Sequence, residues 1–296
     1  MNGGVQLGLD FATTRLVRVT PSRLATWTDC PRRYRLTYLD RPSPPRSGGR
    51  AHSTLGAVVH LALRALFELP PAERTPRAAA ALVDRHWTSE GFRDAAQAAE
   101  YRERARGWVA EYATEWSAGG ASIDAEWSAD SPDGQDVDVV GLEQWVSVAT
   151  DRIVAEGRVD RIDRRGADLV VVDYKTGRWV PTAEDARSSQ ALALYAVATE
   201  HTLRRPCTQV ELHHLPSGQV AAWEHDRASL SGHVRRAEET AAEHAAAADE
   251  LAAGGDAEEL FPARPAARCG ACEMRRSCPE GRAAAPERDP WALLAP

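Results

Sequence analysis

The chain has 296 residues, 43% of them hydrophobic, enough to bury a core as one large domain or two small ones. A net charge of −7 argues against a protein that coats polyanions, but leaves room for a local basic groove, because steering depends on where charges lie. No apolar run reaches membrane-spanning length and "MNGGVQLGLD" lacks a signal pattern, so a cytoplasmic protein with no membrane partner is expected.

Residues 1–19 are weakly patterned and read as a lead-in. "TPSRLATWTDCPRRY" predicts a helix, with Thr20 as cap, Pro21 in the first turn and Leu24 and Trp27 at helical spacing, broken by Pro31 directly after Cys30. "RPSPPRSGGR" (41–50) is a loop, 55–69 a helix carrying His60, and 76–118 an Ala-rich helical stretch anchored by Trp87, Phe92, Tyr101, Trp108 and Trp116. Near 122 the texture changes. "QWVSVAT", "RIVAEGRVDRID" and "DLVVVDYKT" predict three successive strands, the last apolar enough to be central. Residues 182–201 return to helix, 209–226 predict a hairpin turning at Ser217-Gly218, and a long helix runs to about 253, where Gly254-Gly255 ends it. Residues 283–296 read as a disordered tail. The order predicts an α/β core, with a sheet catalytic in character over about 122–226 and a helical N-terminal part, an insertion over about 55–120.

Lys175, in "VVVDYKTGR", is the only lysine; the other thirty-five basic residues are arginine. Asp160 and Asp173 lie on what should be neighbouring strands, paired across a turn near Arg165-Gly166, so the two carboxylates converge. Two carboxylates at one spot repel unless a cation sits between them, and oxygen ligands suit a hard divalent ion such as Mg²⁺ or Mn²⁺. Lys175, two residues after Asp173, points to the same face. A compact ammonium there can neutralise charge on phosphate oxygens, or orient or deprotonate an attacking water, which arginine is too basic to do. The bland reading is a solvated Asp-x-Lys ion pair. Asp163 is expected to be an exposed partner of a nearby arginine.

"GRVDRIDRRGADLVVVDYKTG", with "TPSRLATWTDCPRRYRLTYL", "GAVVHLAL" and the late cysteines in the same order, resembles the PD-(D/E)XK nuclease superfamily in its RecB-type exonuclease branch, over residues 20–282. The resemblance implies a restriction-endonuclease-like mixed sheet flanked by helices, and Mg²⁺- or Mn²⁺-dependent hydrolysis of DNA. It implies His60, Asp160, Asp173 and the Tyr174 carbonyl as metal ligands and Lys175 as the catalytic lysine. Tyr195 and Gln190 match the branch's Tyr and Gln, although here they lie five apart rather than four, which turns one away from the other. Glu143 stands where the branch often has an acid.

Cys269, Cys272 and Cys278 cluster in a Pro- and Arg-rich segment where packing gives thiols no reason to gather. Three thiolates need a fourth, Cys30 or Cys207, and a four-cysteine site suits Zn²⁺ or an iron–sulfur cluster. Members similar to the AddB subunit and to CRISPR-associated iron–sulfur nucleases carry one cysteine before the nuclease motifs and three after. That resemblance implies a [4Fe–4S] cluster on Cys30, Cys269, Cys272 and Cys278, tying the N-terminal helix to the C-terminal segment. Arg32, Arg33, Arg35, Tyr34, Arg275 and Arg276 near these cysteines are expected to contact nucleic acid, against the plainer reading of surface charge and helix packing.

The expected function is an exonuclease acting on single-stranded DNA or ends in repair or recombination, with a possible helicase or repair partner. The alternatives are a non-catalytic DNA-binding or helicase-partner module that retains the fold, and a zinc-ribbon interaction protein.

Overall fold

The structure, a computed structural model, describes residues 16–117 and 138–294. Most of the expected lead-in and the change of texture near 122 fall outside the described residues. The chain enters through β1 (Val17–Val19) and α1 (Pro21–Asp29), where the Thr20 hydroxyl accepts the Arg23 N–H and Pro21 occupies a position whose N–H would be unpaired anyway. Next come α2 (Pro31–Tyr34), continued by a π-helical turn over Arg35–Leu39, then α3 (Ala51–Glu68), α4 (Pro76–His86) and α5 (Ala95–Ser117). The three predicted strands are β2 (Asp138–Ala149), β3 (Ile153–Arg165) and β4 (Asp168–Lys175). Helices α6 (Ala183–Ser188) and α7 (Gln190–Leu203) follow, capped by Thr182 and Ser189. The hairpin β5 (Gln209–His214) and β6 (Gln219–Glu224) turns through Gly218 at φ +68, a left-handed conformation suited to glycine. Then α8 (Arg227–Ala252), α9 (Ala257–Leu260) and α10 (Pro279–Ala284) complete the elements.

The six strands form one mixed sheet flanked by helices. β3 is antiparallel to β2 and β4, β4 is parallel to β5, and β5 is antiparallel to β6. β1 pairs in parallel with Ile153–Ala155 on the edge of β3 that β4 occupies further along, from Arg161 to Arg165. Between these two partners residues 156–160 of β3 face a notch. Helices α6 to α8 cover one face of the sheet with Ile162, Leu169 and Val171 beneath them, and α3 to α5 cover the other over Val170, Val172 and Tyr174. Burial on both faces is why β4 reads as an unbroken apolar run rather than an alternation.

One expectation is corrected. Asp163 is not exposed: its side chain and that of Arg161 are both 0% exposed and joined at 2.9 Å. The tail is mostly exposed over 283–290 and is anchored near its described end, with Leu294 buried beside α3 and the Pro290 carbonyl accepting the Ala51 N–H.

Arg161 lies at the centre of a polar network inside the α3–α5 face. It donates to the Tyr112 and Tyr174 hydroxyls and sits 4.6 Å from the ring centres of both Phe67 and Trp116. Arg165 grips both oxygens of buried Glu211, whose Oε2 lies 2.9 Å from His213 Nε2. Burial pushes the His213 imidazole down to about 4, opposed by Glu211 and reinforced by Arg161 and Arg165. Glu211, which burial alone would raise, is held at about 2 by His213 and Arg165.

Both values lie below those of the unfolded chain, so both groups add stability that disappears on acidification. The His213 contribution is complete above about pH 6.5 and is lost as the pH falls towards about 4. That of Glu211 goes between about 4.5 and about 2. Thermal denaturation across pH 8 to 4 should show the first loss, on the order of 3 kcal/mol, and His213→Gln should flatten it.

Candidate active site

The β3–β4 register brings the two aspartates together. Arg161 pairs with Val172, and one further step along the same register sets Asp160 opposite Asp173. Lys175, two residues beyond, shares the face of Asp173 and forms an ion pair with it. Tyr174 points the other way into the buried network, but its peptide works at the site. Its N–H donates to Asp160 Oδ2 at 3.1 Å, and its carbonyl lies 3.2 Å from His60 Nε2. The other ring nitrogen of His60, carried in by α3, is 3.4 Å from Asp160 Oδ2.

Glu143 approaches from β2, opposite Asp160 in the continued β2–β3 register. Its backbone has φ +48, strained for a residue with a Cβ, just after an irregularity in the ladder at Val139–Gly141. Ligand atoms of His60, Glu143 and Asp160 all lie within 4.8 Å of one another. No sequence pattern marks the left-handed turn that aims Glu143, and the motif alone favoured Asp173.

Tyr195 enters from α7, its ring lying on Gly157 so closely that a Cβ there would stand 2.7 Å from Cε1. Gln190 opens the same helix about 140° further round; it does not line the cleft, and its Nε2 is buried with no hydrogen-bond partner among the described residues. Tyr195 thus lines the cleft with Asp160, and Gln190 makes no hydrogen bond through its Nε2 to the site among the described residues.

The charges at the site are unequal. Burial raises the Asp173 carboxyl, and Asp160 adds to that against the pull of Lys175. Burial would raise Asp160 too, but His60, the Tyr174 N–H and Lys175 bring it down. Burial disfavours a charged His60, yet the hydrogen bond to Asp160 and both aspartates raise it overall. Burial and the same aspartates push the Tyr195 phenol up to about 12. One imidazole, three carboxylates and a peptide carbonyl make a hard N/O donor set, which fits a divalent cation such as Mg²⁺ or Mn²⁺.

The cysteines occupy a separate place. Cys30, Cys269, Cys272 and Cys278 line one cavity of about 120 Å³ between α2 and the C-terminal segment. Among the described residues, no three of their sulfurs fall within 4.8 Å of one another. The Ala266 and Gly281 N–H groups point at Cys269 and Cys278 Sγ from 3.4 and 3.3 Å. Cys207 lies instead in the α6–α8 core, its thiol pushed up to about 12 by burial, which removes it as the fourth member.

Most of the side chains near these cysteines that were expected to contact nucleic acid have partners within the chain. Arg32 is buried and pairs with Glu258 and Glu280, Arg33 with Glu273, and Arg35 with Glu258 and Asp40. Tyr34 is packed against Trp27 and His244, and Arg275 is buried with its guanidinium on the Gly281 and Arg282 carbonyls. These side chains hold the two ends of the chain together. Arg276 alone of the six is exposed.

Residues 18–279 match the model of the PD-(D/E)XK nuclease superfamily, and the chain belongs to that superfamily. Its members are mostly nucleases, which typically use Mg²⁺ or Mn²⁺. No curated protein matches the sequence.

The Gly157–Tyr195 contact is testable by a paired substitution. Gly157→Ala should cost about 1–3 kcal/mol in chemical denaturation, because the new methyl meets the ring. Gly107→Ala, inside α5 with open space around it, should instead stabilise by about 0.5–1 kcal/mol.

Proposed function

We propose that this protein is a metal-dependent DNA exonuclease acting on single strands or ends, in repair or recombination, with a four-cysteine iron–sulfur cluster as a structural element. The observation carrying the hydrolytic reading is the meeting of His60, Asp160, Asp173 and Lys175 around the Tyr174 peptide. His60, Glu143, Asp160, Asp173 and the Tyr174 carbonyl would hold Mg²⁺ or Mn²⁺, which when bound polarises the phosphodiester and eases deprotonation of water. Lys175 brings an ammonium to the same face, where it neutralises charge growing on the phosphate oxygens and orients the attacking water. Tyr195, kept protonated by burial and by the aspartates, donates a hydrogen bond to a phosphate oxygen. A repair or helicase partner belongs to the same proposal, by likeness to the RecB-type branch.

One feature favours a cluster over zinc. Within the single cavity that the four cysteines line, no three sulfurs come within 4.8 Å of one another, whereas a tetrahedral site with Zn–S of ~2.3 Å needs ~3.8 Å. The backbone N–H groups aimed at sulfur would support thiolates in either kind of site.

Asp173→Ala and Lys175→Ala should each reduce Mn²⁺-dependent degradation of an end-labelled single-stranded oligonucleotide by at least ~10³-fold with unchanged circular dichroism. Full activity in either variant would remove the mechanism. Protein purified without oxygen should be brown and contain about four iron and four sulfide per chain; Cys272→Ser should lose the colour. A colourless preparation containing zinc would favour the zinc site.

A further inference from the structure

Among the described residues, the large apolar side chains left exposed are Leu61, Val140, Trp145, Trp179 and Val180. All five stand within five positions of His60, Glu143 or Lys175 in the sequence. Incidental apolar residues on a surface are ordinary, so what matters is which of the five reach the site. Two of the five, Leu61 and Trp145, line the open cleft of about 850 Å³ that also contains His60 and Asp160.

Trp145 is 54% exposed. It lies on β2 directly opposite Arg158 of β3 and two residues beyond Glu143. Arg158 and Arg64, on the same cleft, have half-exposed or more exposed guanidinium groups, paired with Glu143 and Glu68. The Arg64 pair, exposed on both sides, contributes little and can be exchanged for phosphate, and the Arg158 guanidinium reaches solvent although its partner Glu143 is only 12% exposed. The cleft therefore offers one flat aromatic face, one aliphatic neighbour and two cations that reach solvent beside a donor set suited to a divalent metal. Its volume is that of ligand-sized pockets, ~300–1,000 Å³, suiting an unstacked nucleotide and its neighbours.

We propose that Trp145 is a base-stacking platform that selects an unpaired DNA strand and sets its register in the cleft, with Arg158 and Arg64 on the flanking phosphates. A base inside a duplex has both faces covered by its neighbours, whereas an unpaired base can lay a face on an indole, and such stacking tolerates any sequence. The platform needs no chemistry from Trp145, so the residue acts on binding and not on bond breaking. This inference rests on the nuclease reading for its consequence in catalysis, but not for the binding itself.

The test compares wild-type protein, Trp145→Ala and Trp145→Phe on three Mn²⁺-supplemented probes: a thymidine oligonucleotide, the same backbone with abasic sites, and a blunt duplex. For the thymidine strand, Trp145→Ala should raise KM on the order of tenfold with kcat within about twofold, and Trp145→Phe should recover most of the loss. The abasic strand and the duplex should show no dependence on residue 145. An unchanged KM for the thymidine strand, or an equal loss on the abasic strand, overturns the platform. Should the wild-type protein cleave nothing, the nuclease reading fails by itself. Fluorescence anisotropy with the same thymidine and abasic strands then decides the platform: tenfold weaker binding of the thymidine strand alone by Trp145→Ala supports it, and equal binding overturns it.

Discussion

The peptide unit of Tyr174 is the constraint on which the candidate site depends. Its N–H fixes one aspartate from the neighbouring strand and its carbonyl faces the histidine of a distant helix. Its hydroxyl is held on the far side of the sheet by Arg161. Consecutive side chains of a strand alternate between faces, so anchoring Tyr174 below necessarily directs Asp173 and Lys175 above. A carboxylate and an ammonium that would otherwise each sample several rotamers over solvent are thus borne by a segment with little freedom to shift.

The buried arginine beneath this segment is harder to justify as a source of stability. Removing a guanidinium and a carboxylate from water costs several kcal/mol per ion, which their attraction barely returns. What the network supplies is register. β3 reads "GRVDRIDRR", with charged residues on both faces, so hydrophobic alternation alone does not fix how it pairs. A slip by one residue would exchange Asp160 and Arg161 between the two faces, stranding Asp163 and the tyrosine hydroxyls. With two arginines matched to Asp163 and Glu211, only the observed register leaves every buried charge compensated.

The sequence made the elements legible because their signals are local: Thr20-Pro21, the β-branched runs and the hairpin glycine each act through nearest neighbours. Asp160, Asp173 and Lys175 were legible for a similar reason, since strand periodicity and a short turn suffice to bring them together. Glu143 was legible only by its place in the resemblance, because its aim depends on one left-handed residue within a strand. The partners of the arginines of "CPRRYR" were hidden for the opposite reason. Their charge was plain, but their partners Glu258, Glu273 and Glu280 lie more than two hundred residues later, and nothing in composition distinguishes an arginine awaiting phosphate from one already paired. Asp163 likewise looked like surface because burial of a charged pair is a property of the assembled sheet.

The cysteine cavity and the notch beside the candidate site, although separate, are mechanically one problem. The far wall of the notch is β1, only three residues long, and a single residue separates it from α1. So short a strand holds its place only if the helices behind it do. Those helices are fastened to the C-terminal segment by Arg32, Arg33, Arg35 and Arg268, each paired with a carboxylate that is at least about one-third exposed, so no single pair holds strongly. Closing the long loop between the two ends costs chain entropy that such pairs offset poorly. A group bridging Cys30 to the three late cysteines would restrain that loop in one step, and through α1 and β1 it would steady the edge of β3 from which Asp160 is presented. On these grounds a structural cluster remote from the reacting atoms is physically consistent with an active site opened at a break in the sheet.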